Sequence, residues 1–186
     1  MIRSALYLMG EQGIEATSFS QVIEHSGAPR GSIYHHFPGG KAQLVEEATR
    51  YAGDAVVELV NATVAKHDDP VAAVDAISDF WRTLLYNSEF AAGCPVVAAT
   101  LEGDNTPAAR EAARDAFKRW EALYMGMFAR AGVPEERAKS LASMAVSAVE
   151  GAVILSRAER SNEPLERVVE EVRTLFHSAL DDARTR

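Results

Sequence analysis

Between Pro29 and Lys41 the chain reads Pro-Arg-Gly-Ser-Ile-Tyr-His-His-Phe-Pro-Gly-Gly-Lys. Ile33 and Phe37 are four apart, the spacing of one helical face, so turning them inward leaves a polar set outside. Arg30 can grip a guanine edge or a phosphate with its planar fork, and Gly31 lets the backbone come close to a duplex. Ser32, Tyr34, His35 and His36 offer hydroxyls and ring nitrogens to phosphates or bases. Lys41 sets a cation at the start of the next helix, an end that already favours anions. This chemistry suits recognition of a polyanion. Bond-breaking chemistry finds less support. Adjacent His35 and His36 point about 100° apart on a helix, and no HExxH-type spacing occurs, so no metal is expected. Ser32 lacks a GxSxG elbow and has no evident base with an orienting carboxylate, so neither nucleophilic catalysis nor a cofactor is expected. Alone, Arg30 and Lys41 would read as solvated surface charges. For Tyr34, direct DNA contact and a ring tucked against the first helix with only its hydroxyl exposed stand level.

The elements that must position these groups are helical. Apolar residues recur at helical spacing nearly throughout, and no stretch shows the period-2 alternation of a strand, so the chain is all-α, with nine helices. The first carries Ile2, Ala5, Leu6 and Met9 on one stripe and exits near Gly10 to Gly13. The second opens at Ser18, where Ser18-x-x-Gln21 has capping-box spacing, buries Phe19, Val22 and Ile23, and stops at Ser26-Gly27. The third runs from Pro29, tolerated in a first turn, to Phe37, and Pro38-Gly39-Gly40 ends it. Three short helices packed around Leu6, Phe19, Val22, Ile33 and Phe37, the last two joined by a Gly-containing turn, make a helix-turn-helix, and that setting favours phosphate or base contact for Arg30 and Lys41. A longer helix is expected from Lys41 to about Lys66, stopped by His67-Asp68-Asp69-Pro70. Further helices are expected over Val71 to Asn87, from Gly93-Cys94-Pro95 to Leu101, from Thr106-Pro107 to about Ala131, from Pro134 to Ala158 and from Pro164 to Ala183.

Composition bounds the class. The chain has 186 residues, 47% of them hydrophobic, enough to fill real cores. Its formal charge of −8 runs against nucleic-acid binding until it is divided. Residues 1–50 hold 4 basic and 5 acidic side chains, 4 − 5 = −1, and the remainder 15 − 22 = −7. The first part is thus near neutral, and any DNA affinity must come from a few well-placed groups. No membrane span and no secretion signal are expected, and the single cysteine rules out an internal disulfide and fits a reducing cytoplasm. Cys94 lies where a helix N-terminus would favour its thiolate, although a small buried apolar role is the stronger reading.

The run from Thr17 through Ile23, then Ser26 through Phe37 and Lys41, resembles the DNA-binding motif of the TetR family of transcriptional regulators. Together with Gly93-Cys94-Pro95-Val96, the Pro29 to Lys41 wording resembles the LmrA/YxaF-like branch. The resemblance implies a dimeric, ligand-responsive repressor, with a helix-turn-helix domain over 1–45 and a ligand-binding and dimerisation domain over 46–186. It assigns DNA contacts to Ser18, Ser20, Arg30, Gly31, Ser32, Tyr34, His35, His36 and Lys41. Relatives often carry Arg at the Ser20 position, so base reading from the second helix is expected to be weak. The chain begins inside its first helix, so an N-terminal phosphate contact is expected to be missing.

The middle helices hold many aromatic and Met side chains, which fit either a solid core or an apolar cavity. With the resemblance, the cavity reading assigns a small apolar or aromatic effector to Phe80, Trp81, Phe90, Cys94, Val97, Leu101, Trp120, Tyr124, Phe128 and Met144. On the last two helices, Leu141, Met144, Ala145, Ala148, Ala152 and Leu155 with Val168, Val169, Val172, Leu175, Phe176 and Leu180 are expected to build half of a four-helix bundle across a two-fold axis. The alternatives are a helical small-molecule-binding dimer with a non-functional DNA unit and, last, an enzyme using the apolar cavity.

Overall fold

The computed structural model describes residues 1–65, 68–102 and 105–185. Among the described residues there are nine helices and no strand: α1 (Ile2–Ala16), α2 (Phe19–Ser26), α3 (Ser32–His36), α4 (Gly40–Val64), α5 (Pro70–Asn87), α6 (Pro95–Leu101), α7 (Pro107–Arg130), α8 (Glu135–Glu159) and α9 (Glu163–Arg184). The expected end of the fourth helix at Lys66, and His67 of its stop signal, lie outside the described residues. The residues form two compact units, Met1–Ala55 with Ala92–Ala116, and Val56–Ala91 with Phe117–Arg186.

In the first unit, Ala5, Leu8, Met9 and Ile14 of α1 are buried with Val22 of α2, Ile33 of α3, Phe37, and Leu44, Val45 and Ala48 of α4. The stripe on α1 is rotated from the sequence reading, because Leu8 is buried while Ile2 and Leu6 are only half-buried. A second helix lies on α1: α6 buries Pro95, Val96 and Ala99, and it makes this face wider than three helices alone require. The approach is closest at Gly10, where an added Cβ would stand 3.0 Å from the Gly93 carbonyl carbon and nearer still to its oxygen. Only a residue without a side chain allows that contact. Gly10 therefore stays helical, and the break falls at Gly13, whose φ of 85° and ψ of 172° an L side chain rarely adopts.

In the second unit the core is aromatic. Phe176 of α9 is fully buried, with ring centroids 4.8 Å from Phe128 and 5.9 Å from Tyr124 of α7, both edge-on. Leu141, Ala145, Val149, Ala152 and Val153 of α8 pack with Leu165, Val169 and Val172 of α9. The turn between them is closed by Arg160 in a left-handed conformation and by Ser156, whose buried Oγ accepts from the Leu165 N–H at 3.2 Å. Asp69 caps α5 through the Val71 N–H at 2.9 Å, and Asp75 of α5 is paired with Arg173 of α9 at 2.6 Å. By length and mean hydropathy of 1.4, α8 could also cross a membrane, but it is one helix and its buried stripe faces α9.

Candidate nucleic-acid interface

The second helix begins as the sequence predicts. The Ser18 Oγ accepts from the Gln21 N–H at 3.3 Å, and the Gln21 carboxamide oxygen accepts from the Ser18 N–H at 2.8 Å, the reciprocal capping box. The third helix is shorter than predicted. Pro29 to Gly31 form a turn because the N–H and the hydroxyl of Ser32 both donate to the Pro29 carbonyl, at 2.9 and 2.7 Å, a local alternative to helical bonding. Arg30 and Gly31 therefore precede α3 instead of lying within it.

The side-chain directions follow from two anchors. Ile33 is fully buried and Phe37 nearly so, which turns Tyr34, His35 and His36 outward. Tyr34 is 68% exposed, and its ring meets Phe19 of α2 edge-on at 5.5 Å. The ring thus makes edge contact with the second helix, a contact neither sequence reading for Tyr34 named. Ser18, Ser20, Arg30 and Gly31 are exposed, while Ser32 and Lys41 are half-buried. Among the described residues Arg30 has no hydrogen-bond or ion-pair partner, so its guanidinium is open to an anion. Lys41 differs: its Nζ donates to the Glu15 carbonyl at 3.0 Å, leaving two of its three donor protons. The hydroxyl of Ser18 is spent on the cap, and that of Ser32 on Pro29.

Sequence reasoning missed the polar groups that brace this unit. Gln43 of α4 accepts from the Gly39 N–H at 2.8 Å and donates to the His36 carbonyl at 3.5 Å, closing the turn after α3. Glu102, at the end of α6, accepts from the Glu15 N–H at 2.9 Å. No local spacing signals a pair 87 positions apart, although the Pro38-Gly39-Gly40 break does call for a polar partner such as Gln43.

The residues assigned to an effector divide between the units. In the first, Cys94 and Val97 are half-buried and Leu101 is 75% exposed. In the second, Trp81, Trp120, Tyr124 and Phe128 are buried, Phe90 and Met144 are half-buried and Phe80 is exposed, with the Phe80 and Trp81 rings in edge contact at 5.4 Å. Burial pushes the Tyr124 phenol well above its ordinary value, and the nearby Asp75 charge adds to this, so the group stays a neutral hydroxyl. Of the residues assigned to a dimer face, Leu141, Ala145, Ala152, Val172 and Phe176 are buried within the chain itself, and Ala148, Val168 and Leu175 are half-buried. The large apolar side chains that α8 leaves in solvent are Ile154 and Leu155, 54% and 51% exposed.

Residues 1–48 match the family described as bacterial regulatory proteins, tetR family, and residues 70–171 match the one described as transcriptional regulator LmrA/YxaF-like, C-terminal domain. The chain is 40% identical to an HTH-type transcriptional regulator of Mycobacterium tuberculosis, over 98% of this chain and 95% of that one. It is 32% identical to the HTH-type transcriptional regulator YxaF of Bacillus subtilis, over 94% and 92%. Among solved structures, a TetR transcriptional regulator from Legionella pneumophila superposes with a TM-score of 0.84 at 22% identity, covering 94% of each chain.

Proposed function

This chain belongs to the TetR family of bacterial transcriptional regulators, and from that premise we propose that it is a ligand-responsive repressor in which residues 1–45 bind operator DNA. The observation that carries the reading is the group of outward side chains around α3. Among the described residues Arg30 has no hydrogen-bond or ion-pair partner, and Tyr34, His35 and His36 are exposed beside buried Ile33 and Phe37, so Arg30 can meet a duplex without first giving up an internal hydrogen bond or ion pair. Arg30 takes a phosphate or a guanine edge, and Tyr34 contributes its hydroxyl and ring face. Ser20, Gly31, His35 and His36 fill the rest of the contact surface. Ser18, Ser32 and Lys41 contribute chiefly by shaping it, since each already serves an internal bond.

Regulators of this family bind DNA and function as dimers. We assign the dimer face here to the outward side of α8 and α9, with Ile154 and Leu155 at its centre and Ala148, Val168 and Leu175 beside them. Two copies then present their reading helices about 34–36 Å apart, one turn of B-form DNA, to a near-palindromic operator. A small apolar or aromatic effector binds among residues 46–186, with Trp81, Trp120, Tyr124, Phe128 and Met144 supplying apolar surface. It releases DNA by favouring a conformer in which that spacing no longer fits. The protein acts in the cytoplasm and performs no reaction of its own.

A second reading, a helical dimer whose first domain has lost DNA binding, draws on the net charge of −1 over residues 1–50. One titration separates the two. Wild type and the Arg30→Ala, Tyr34→Ala double variant are titrated onto a duplex that the wild type has selected from a random-sequence library. Under the repressor reading, wild-type affinity falls linearly in log units with log salt and the double variant binds far more weakly at fixed salt. Equal binding by both proteins would overturn it.

A further inference from the structure

We propose that Glu102 is a positioning residue for DNA recognition: its carboxylate, at the end of α6, fixes the broken end of α1 and, through Glu15, the start of α4. The proposal rests on the reading of residues 1–45 as the DNA-binding domain.

The need for such a group follows from Gly13. Its backbone leaves the helical region, so the next amides cannot bond a carbonyl four residues back. One of them, the Glu15 N–H, is taken by Glu102 Oε2 at 2.9 Å. The carboxylate lies directly over the glycine: a Cβ on Gly13 would stand 3.0 Å from Oε2 and 3.1 Å from Cδ, with Oε1 nearer still. The missing side chain at Gly13 thus serves two ends, a left-handed backbone and a seat for Glu102.

Glu15 then acts as a node. Its N–H goes to Glu102, its carbonyl accepts from Lys41 Nζ at 3.0 Å, and its Oε1 accepts from Asn105 Nδ2 at 3.1 Å. Three separate pieces of chain, the end of α6, the start of α4 and the approach to α7, meet on one residue. The other end of α6 is seated on α1 as well, where the Gly93 backbone rests on Gly10. With α6 held at both ends, the last turn of α1 has one direction. That direction carries forward, because Thr17 Oγ1 ties back to the Gly13 carbonyl at 2.7 Å and α2 starts at once from its Ser18 cap. The Glu102 bond is charge-assisted and therefore about twice as strong as a neutral one.

The test combines two readouts on the full-length protein. Glu102→Ala and Glu102→Gln are compared with wild type by backbone hydrogen exchange over residues 13–17 and by affinity for the wild-type-selected duplex, with thermal melting to verify folding. Alanine should speed exchange in that segment and weaken binding about tenfold, while the slope of log affinity against log salt stays unchanged because no phosphate contact is lost. Glutamine keeps an acceptor without the charge, so it should fall between alanine and wild type in both readouts; if the alanine protein does not fold, glutamine alone must still fall below wild type. Wild-type exchange or wild-type affinity in a folded variant would overturn the proposal, as would a salt slope reduced by a phosphate contact. If the wild type selects no duplex, the DNA-binding reading fails and takes this one with it, whereas wild-type binding with an unaffected variant removes Glu102 alone.

Discussion

Replacing Gly10 by alanine should destabilise the protein, against the usual rule for helices. In an ordinary helix interior the exchange gains about 1 kcal/mol, since glycine is the more costly residue to order. Here the new methyl would stand 3.0 Å from the Gly93 carbonyl carbon and 3.4 Å from its nitrogen, with the oxygen closer. Ordinary contact needs more room, and the obstacle is backbone, which no rotamer change removes. Overpacking costs typically 1–3 kcal/mol, and a backbone obstacle, which yields only if the segment opening α6 moves away from α1, sets the cost here at the upper end, about 2–3 kcal/mol. Clash minus propensity leaves a net loss of about 1–2 kcal/mol, or about 2–8 °C in Tm for a domain of this size. Urea denaturation followed by far-UV circular dichroism measures it, and an unchanged m-value would show that the native state alone was affected. A variant as stable as wild type, or more so, would refute the claim that the α1 to α6 contact is closed to a side chain.

Three further outcomes are expected. Phe176→Ala removes a fully buried ring from its edge contacts with Phe128 and Tyr124 and should cost about 3–5 kcal/mol in urea denaturation. The Ile154→Glu, Leu155→Glu double variant places charge on the exposed apolar part of α8; it should keep its secondary structure yet sediment as a monomer where wild type is a dimer. Hydrogen bonds from Arg130 to Asp68 at 2.6 and 2.7 Å, aided by the guanidinium charge, hold the Asp68 carboxyl below its ordinary value of 3.8. The folded value being the lower one, this pair contributes above 3.8 and its contribution is lost as pH falls through the lowered value, so any Tm deficit of Arg130→Ala at neutral pH should close on acidification.

Helix number, order and most boundaries were legible in the sequence, because most starts carry their own local chemistry. Ser18 with Gln21 and Thr106 before Pro107 need no tertiary information, whereas Asp69-Pro70, which the sequence reading gives only as the stop of the helix before it, caps α5 as well. The third helix was read too long because Pro29 suits a first turn, yet Ser32 can satisfy the Pro29 carbonyl twice over and shorten it. Periodicity reports that a face is covered without naming the cover. On α8 and α9 it found Leu141, Val172 and Phe176, which the chain's own packing covers, and Leu155, which stays exposed, while the exposed Ile154 lay off the marked face. Around α3 the anchors Ile33 and Phe37 were visible, and with them the outward set. The Glu102 to Glu15 bond was not, since contacts between distant segments leave no mark on local spacing.

Five residues are too few to sustain α3 alone, since the first hydrogen-bonded turn is costly to nucleate and isolated helices shorter than about 12–15 residues are marginal in water. Its shape is lent by the pocket that receives Ile33 and Phe37. A synthetic peptide spanning 29–37 should therefore be structureless and blind to sequence, and grafting these contacts onto another scaffold would mean transplanting the two anchors and their receptacle along with Arg30 and Tyr34.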